Sequence, residues 1–226
     1  MDISLILPYA AQLPHLNTAF NDVLAVPAQE RPAWAKRQRA TIYRDGWFVN
    51  TPVGMNGDGE NLTQHVDHLQ SLVDTYFPAN CRALAKNYAD VHDDQEVIAH
   101  AVIGGIKRDL NPAFNTQSYS LSNDDKEAIE MLAVNVLFEK DPASKSLWHD
   151  YKESTAAAAV LFRGLDKICV MWKCVEFIES GKYSHGDFQA YWDYWTPEKA
   201  EAKLPRLVSD AYIQDLLPKA DALRIK

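Results

Sequence analysis

Apolar residues fall three and four apart through most of the 226-residue chain, a spacing that lays a continuous stripe along one helix face. The pattern predicts helices over residues 13–26 and 32–39, the second opening on Pro32, whose missing N–H costs nothing in a first helical turn. Leu62, Val66, Leu69 and Val73 carry the same period through residues 61–76, and Pro78 stops it. A short helix over 79–89 leads into another over 91–102, ahead of the pair Gly104 and Gly105. Ser122 followed by Asp125 resembles a capping box with Asp in the place of Glu, and predicts a helix over 123–138. Residues 143–180 read as one long helix or as two with a bend near Gly164, and Gly181 is a natural C-terminal stop. Residues 50–59 (NTPVGMNGDG) and 110–121 read as loops, because Gly and Asn accept left-handed backbone and the second stretch is rich in Asn, Ser, Thr and Gln. The expectation is an all-α chain forming a single domain over 1–226. Tyr191, Trp192, Tyr194 and Trp195 predict an aromatic flap in the tail from residue 182 onward.

Charge and composition narrow the function classes. Lys and Arg number 23 against 31 Asp and Glu, a formal net charge of −8, so the basic stripe that neutralises a polymer of phosphates is missing and nucleic acid is not the expected partner. A small anionic ligand is still allowed, since a metal ion and a few local cations can hold it. The longest apolar runs, 131–134 and 156–162, fall far short of the roughly 18–20 residues that cross a bilayer, so no membrane partner is expected. The opening MDISLILPYA carries Asp2 and no basic flank, which argues against a secretory signal and for a cytoplasmic location. Cys81, Cys169 and Cys174 form no C-x-x-C pair and read as buried thiols.

One polar constellation interrupts the apolar pattern. His92 and Asp93 are adjacent, and imidazole nitrogen and carboxylate oxygen are both good ligands for a borderline divalent cation. Glu96, four residues after His92 and three after Asp93, projects from the same helix face one turn along, where it can reach a water on the metal without ligating it. A His–Asp pair alone is more often structural. His65 on the preceding helix strengthens the case, and so does Asp166. The latter interrupts Val160, Leu161, Phe162, Leu165, Ile168, Val170 and Met171, where an unpaired carboxylate is expensive unless a cation sits beside it. Lys36, Arg37 and Arg39 read as a solvated basic face, His68 and His100 as solvent-facing or hydrogen-bonded, and Trp148 and Tyr151 as packing of the long helix.

The order His65, His92-Asp93, Asp166 is similar to the H…HD…D signature of the HD-domain metal-dependent phosphohydrolases, and finer features resemble their 5′-deoxynucleotidase branch. An Arg-x-Gly-Trp element precedes the first His, as Arg44-Asp45-Gly46-Trp47 does here. Glu60-Asn61-Leu62-Thr63-Gln64 resembles the Glu-Asn-Val-Ser-Glu stretch of that branch, and His92 to Glu96 matches its H-D-x-x-E. Lys107 stands where a later Lys falls; Leu147-Trp148-His149-Asp150-Tyr151 matches Leu-Trp-x-x-Tyr, and Asp166 lies in a Leu-Asp-Lys context. The resemblance runs over residues 44–181. It departs at His100 and Ala101, which stand in place of a Gly-Asp pair, and at the inserted loop 50–59.

The resemblance implies an HD-type helical bundle holding one divalent cation, among Mn²⁺, Co²⁺, Mg²⁺, Ni²⁺, Fe²⁺ and Zn²⁺, through His65, His92, Asp93 and Asp166. It implies Glu96 as the general base that orients or deprotonates a water, Arg44 and Lys107 as the groups neutralising phosphate oxygens, and Trp47 as the side chain packed on sugar or base. For Glu96 the alternative is an exposed ion-paired residue, and for Trp47 it is ordinary core. The implied activity is hydrolysis of the phosphate of (deoxy)nucleoside 5′-monophosphates, a small-molecule nucleotide being the partner and a homodimer the expected assembly. The replaced Asp at Ala101 and the inserted loop keep a deoxynucleoside triphosphate triphosphohydrolase open as an alternative; an inactive nucleotide-binding module of the same fold is another, against which the intact ligand set and Glu96 argue.

Overall fold

A computed structural model describes residues 14–42, 60–99, 123–189 and 215. Among them the chain is mostly helical and contains no strand, as the periodicity predicts. The helices are α1 (Pro14–Leu24), α2 (Arg31–Gln38), α3 (Leu62–Tyr76), α4 (Ala79–Val91), α5 (Asn123–Leu137), α6 (Pro142–Glu153) and α7 (Ala157–Glu179). Single 3₁₀ turns cover Ala28–Glu30, Arg39–Thr41 and His185–Phe188. No helix of the described residues is long and apolar enough to cross a membrane. The predicted loops 50–59 and 110–121, the glycine pair, Ser122 and the aromatic flap lie outside the described residues.

Two boundaries differ from expectation. The helix predicted to begin at residue 91 does not: α4 continues through Val91, residues 92–95 form a turn, and helical structure resumes over 96–99. Bonds reaching three residues back tighten this turn, from Asp94 N–H to the Val91 carbonyl (3.3 Å), Glu96 to Asp93 (2.9 Å) and Val97 to Asp94 (3.2 Å). Adjacent Asp side chains compete with the backbone for hydrogen bonds, which disfavours continuing an α-helix through them. The second difference is the break between α6 and α7, which falls at residues 154–156 rather than at Gly164, a residue buried inside α7. Here the Ala156 N–H bonds to Ser154 Oγ at 3.1 Å, and Arg163 donates to the carbonyls of Tyr151 (2.6 Å) and Ser154 (2.9 Å), satisfying the exposed end of α6. Gly181 stops α7 as expected, with φ +75° and its N–H on the Ile178 carbonyl at 2.9 Å.

The described residues divide into two compact units. One comprises 14–42, 60–64, 91–99 and 123–147. In it α1 and α2 both pack against α5, burying Phe20, Val23, Ala35, Ala133 and Leu137. Arg31 is buried there as well, donating to the carbonyls of Val26 (3.0 Å) and Val136 (3.2 Å) and to the Glu139 carboxylate (2.7 Å). Lys36 and Arg37 are exposed, but Arg39 is buried, a correction to the reading of all three as a solvated face.

The other unit comprises 65–90, 148–189 and 215. Its core joins α4, α6 and α7 through the rings of Tyr88, Tyr151 and Phe162, whose centroids lie 5.7–6.3 Å apart. Trp148 and Tyr151 are buried as predicted, and fully burying a side chain such as Phe162 contributes about 1.5–3 kcal/mol. Phe188 stacks on Phe177, closing the C-terminal end of α7. The three cysteines are buried thiols, as expected.

Two tyrosines give this unit an alkaline limit. Burial, then the hydrogen bond to Asp150 and that carboxylate's charge, push the Tyr88 phenol well above its ordinary value, partly opposed by Arg163. Burial and the 2.8 Å bond to Asp215 push Tyr76 up to about 12. The folded chain thus keeps protons that the unfolded chain releases near pH 10, so stability present below that pH falls as pH rises from there through the folded values. Urea midpoints measured between about pH 9 and about pH 11 are expected to decline, and Tyr88→Phe to flatten the decline. An unchanged slope in Tyr88→Phe would show that other groups set it.

Candidate metal centre

The first ligand follows a helix start built by reciprocal capping. Asn61 Oδ1 accepts the Gln64 N–H at 2.9 Å, and Gln64 Oε1 accepts the Asn61 N–H at 3.0 Å. The Leu62 N–H bonds to the Ile42 carbonyl at 2.9 Å, anchoring the same point of the chain. One residue further, His65 is fully buried, and its Nε2 lies 3.2 Å from Oδ1 of Asp166. Asp166 stands within the apolar run of α7 with its side chain 16% exposed. The periodic stripe that buries α7 therefore carries a carboxylate inward, to an imidazole.

The second pair sits on the turn that follows α4. His92 is buried, Asp93 is 12% exposed, and His92 Nε2 lies 3.1 Å from Asp93 Oδ2. Together His65, His92, Asp93 and Asp166 each offer one ligand atom, and the four atoms all lie within 4.8 Å of one another. This group can hold a metal ion. Atoms bound about 2.0–2.2 Å from one cation in a tetrahedron lie about 3.4 Å apart, so the group would draw together on a shared ion. Two imidazoles and two carboxylates also suit a divalent cation in charge, and such a cation offsets the cost of keeping two carboxylates largely out of water.

The other predicted site residues divide. Glu96 is half-buried and opens the helical stretch 96–99, its backbone N–H on the Asp93 carbonyl; it is not one of the four grouped ligands. His68 is half-buried on α3. Arg44, Trp47, His100, Ala101 and Lys107 lie outside the described residues.

Two features of the site were not anticipated from sequence. The Asn61–Gln64 box was legible as N-x-x-Q ahead of an apolar stripe. The other is the buried ion pair of Arg39 with Asp94, the residue after the His–Asp pair, in which Arg39 Nε and one terminal nitrogen both lie 2.7 Å from Asp94 Oδ1. No local pattern joins residues that far apart in the chain.

Fold and site thus define an all-helical chain, over the described residues, with a His₂Asp₂ group able to hold a metal ion. No protein-family model, curated protein or solved structure matches it.

Proposed function

We propose that this protein is a metal-dependent phosphohydrolase of nucleotides, acting on (deoxy)nucleoside 5′-monophosphates. One observation carries the reading: four residues ordered as His, His-Asp, Asp along the chain offer ligand atoms within 4.8 Å of one another. The resemblance of the surrounding motifs to the 5′-deoxynucleotidase branch of the HD-domain phosphohydrolases supplies the substrate class. His65, His92, Asp93 and Asp166 would hold the ion. A divalent cation there supplies a Lewis acid for a phosphoryl oxygen and makes water a stronger nucleophile near neutral pH.

The chain's own groups do the rest. Glu96 accepts the proton of the attacking water; a well-placed general base contributes about 10²–10⁴ in rate. Arg44 and Lys107 bind the non-bridging phosphate oxygens, Arg through its planar fork and Lys as a point charge. Trp47 packs on the sugar or base.

The test is product identification. Protein incubated with Mn²⁺, Co²⁺, Mg²⁺ or Zn²⁺ and a panel of nucleoside mono- and triphosphates is expected to release inorganic phosphate from monophosphates, and to stop when the metal is chelated. Release of triphosphate from deoxynucleoside triphosphates would replace the monophosphate assignment. A nucleotide that raises the melting temperature without any product would point to a binding module. No turnover of any nucleotide with any cation would overturn the enzymatic reading.

A further inference from the structure

Asp94 is a second carboxylate directly beside the ligand Asp93, chemically equal to it as a hard oxygen donor. Its side chain is fully buried, and its Oδ1 takes two charge-assisted bonds of 2.7 Å from Arg39, a side chain only 7% exposed. A buried ion pair is weak evidence for stability, because desolvating the two charges offsets most of their attraction. What it does set is geometry. The pair ties the 92–95 turn, which carries both His92 and Asp93, to the 3₁₀ turn Arg39–Thr41, 55 residues earlier in the chain. Asp94, so engaged through Oδ1, is not one of the four grouped ligands.

We infer that Arg39 and Asp94 form a positioning pair that holds the His92–Asp93 turn in its ligating arrangement. The inference rests on the metal-site reading of the four-residue group. Neither residue belongs to the group of four ligands. Their effect passes through the ligands, in the way that groups supporting a ligand elsewhere set about 10–100-fold of metal affinity.

The experiment is Mn²⁺ titration of the full chain by calorimetry, with the electron paramagnetic resonance spectrum of the bound ion as a second readout. Wild type is expected to bind Mn²⁺, and Arg39→Met to bind it about 10–100-fold more weakly with an altered spectrum. Arg39→Lys keeps the charge without the fork and is expected to recover part of the loss. Arg31→Met removes another buried guanidinium of the same unit, with no bond to the 92–95 turn. It is expected to lower the melting temperature while leaving Mn²⁺ affinity within about twofold of wild type. If Arg39→Met melts early yet binds Mn²⁺ with unchanged affinity and spectrum, the pair is structural only and the inference is overturned. Should Arg39→Met fail to fold, Arg39→Lys and Asp94→Asn decide the matter, unchanged binding in both overturning it. A wild-type protein that binds no Mn²⁺ would overturn the metal reading itself, and this inference with it.

Discussion

Asp166→Ala protein is expected to fold, to lose its metal and to lose hydrolysis in proportion. Asp166 is one of two carboxylates in the group and the partner of His65 at 3.2 Å, so its removal takes away a ligand and half of the charge that balances a divalent ion. The loss of affinity should exceed the about 10–100-fold that follows from removing a residue that only supports a ligand. Stability separates this outcome from simple damage. Without metal, Asp166 is still the partner of the buried His65, so exchanging it for Ala should lower the metal-free melting temperature only by what one lost buried hydrogen bond costs, about 1–3 kcal/mol. The stabilisation by Mn²⁺, about 2.7 kcal/mol at a hundredfold excess over Kd, should disappear. His92→Ala is expected to lose metal and rate in the same way. If Mn²⁺ stabilised Asp166→Ala as well as wild type, the ion would be binding elsewhere and the proposed centre would be wrong.

Glu96→Gln is expected to show the opposite separation, with metal retained and turnover reduced by about 10²–10⁴-fold. Glu96 is outside the ligand group, and its backbone N–H bonds to the Asp93 carbonyl, a contact that the substitution leaves in place. Gln preserves size and hydrogen-bonding reach but cannot accept a proton at neutral pH. Mn²⁺ affinity by titration, set against single-turnover rates, checks both halves. Wild-type turnover in Glu96→Gln would show that another group moves the proton.

Helix identity was legible because it is local. The stripe through Leu62, Val66, Leu69 and Val73 needs only neighbours three and four residues away, and α3 duly runs over Leu62–Tyr76. The break between α6 and α7 was misplaced because Gly164 is the weakest helix former in the stretch. A glycine that is buried within a helix is tolerated, whereas Ser154 and the reach of Arg163 to the end of α6 supply hydrogen bonds that end one helix before the next begins. Arg39 was misread for a different reason. Lys36, Arg37 and Arg39 look alike along the chain, and only the packing that brings Asp94 to 2.7 Å sets the third apart.

By itself the sequence determined the helical class and the donor types with their order: imidazole, imidazole beside carboxylate, carboxylate. These follow from side-chain chemistry and from periodicities that act within about one helical turn. Only the tertiary structure decided that His65 meets Asp166 across 101 residues, that the His92–Asp93 turn is tied to Arg39, and that the four ligand atoms fall within 4.8 Å. Contacts of that separation cost loop-closure entropy, recovered only when whole helices bury their apolar faces together, and no short stretch of residues records which faces will meet.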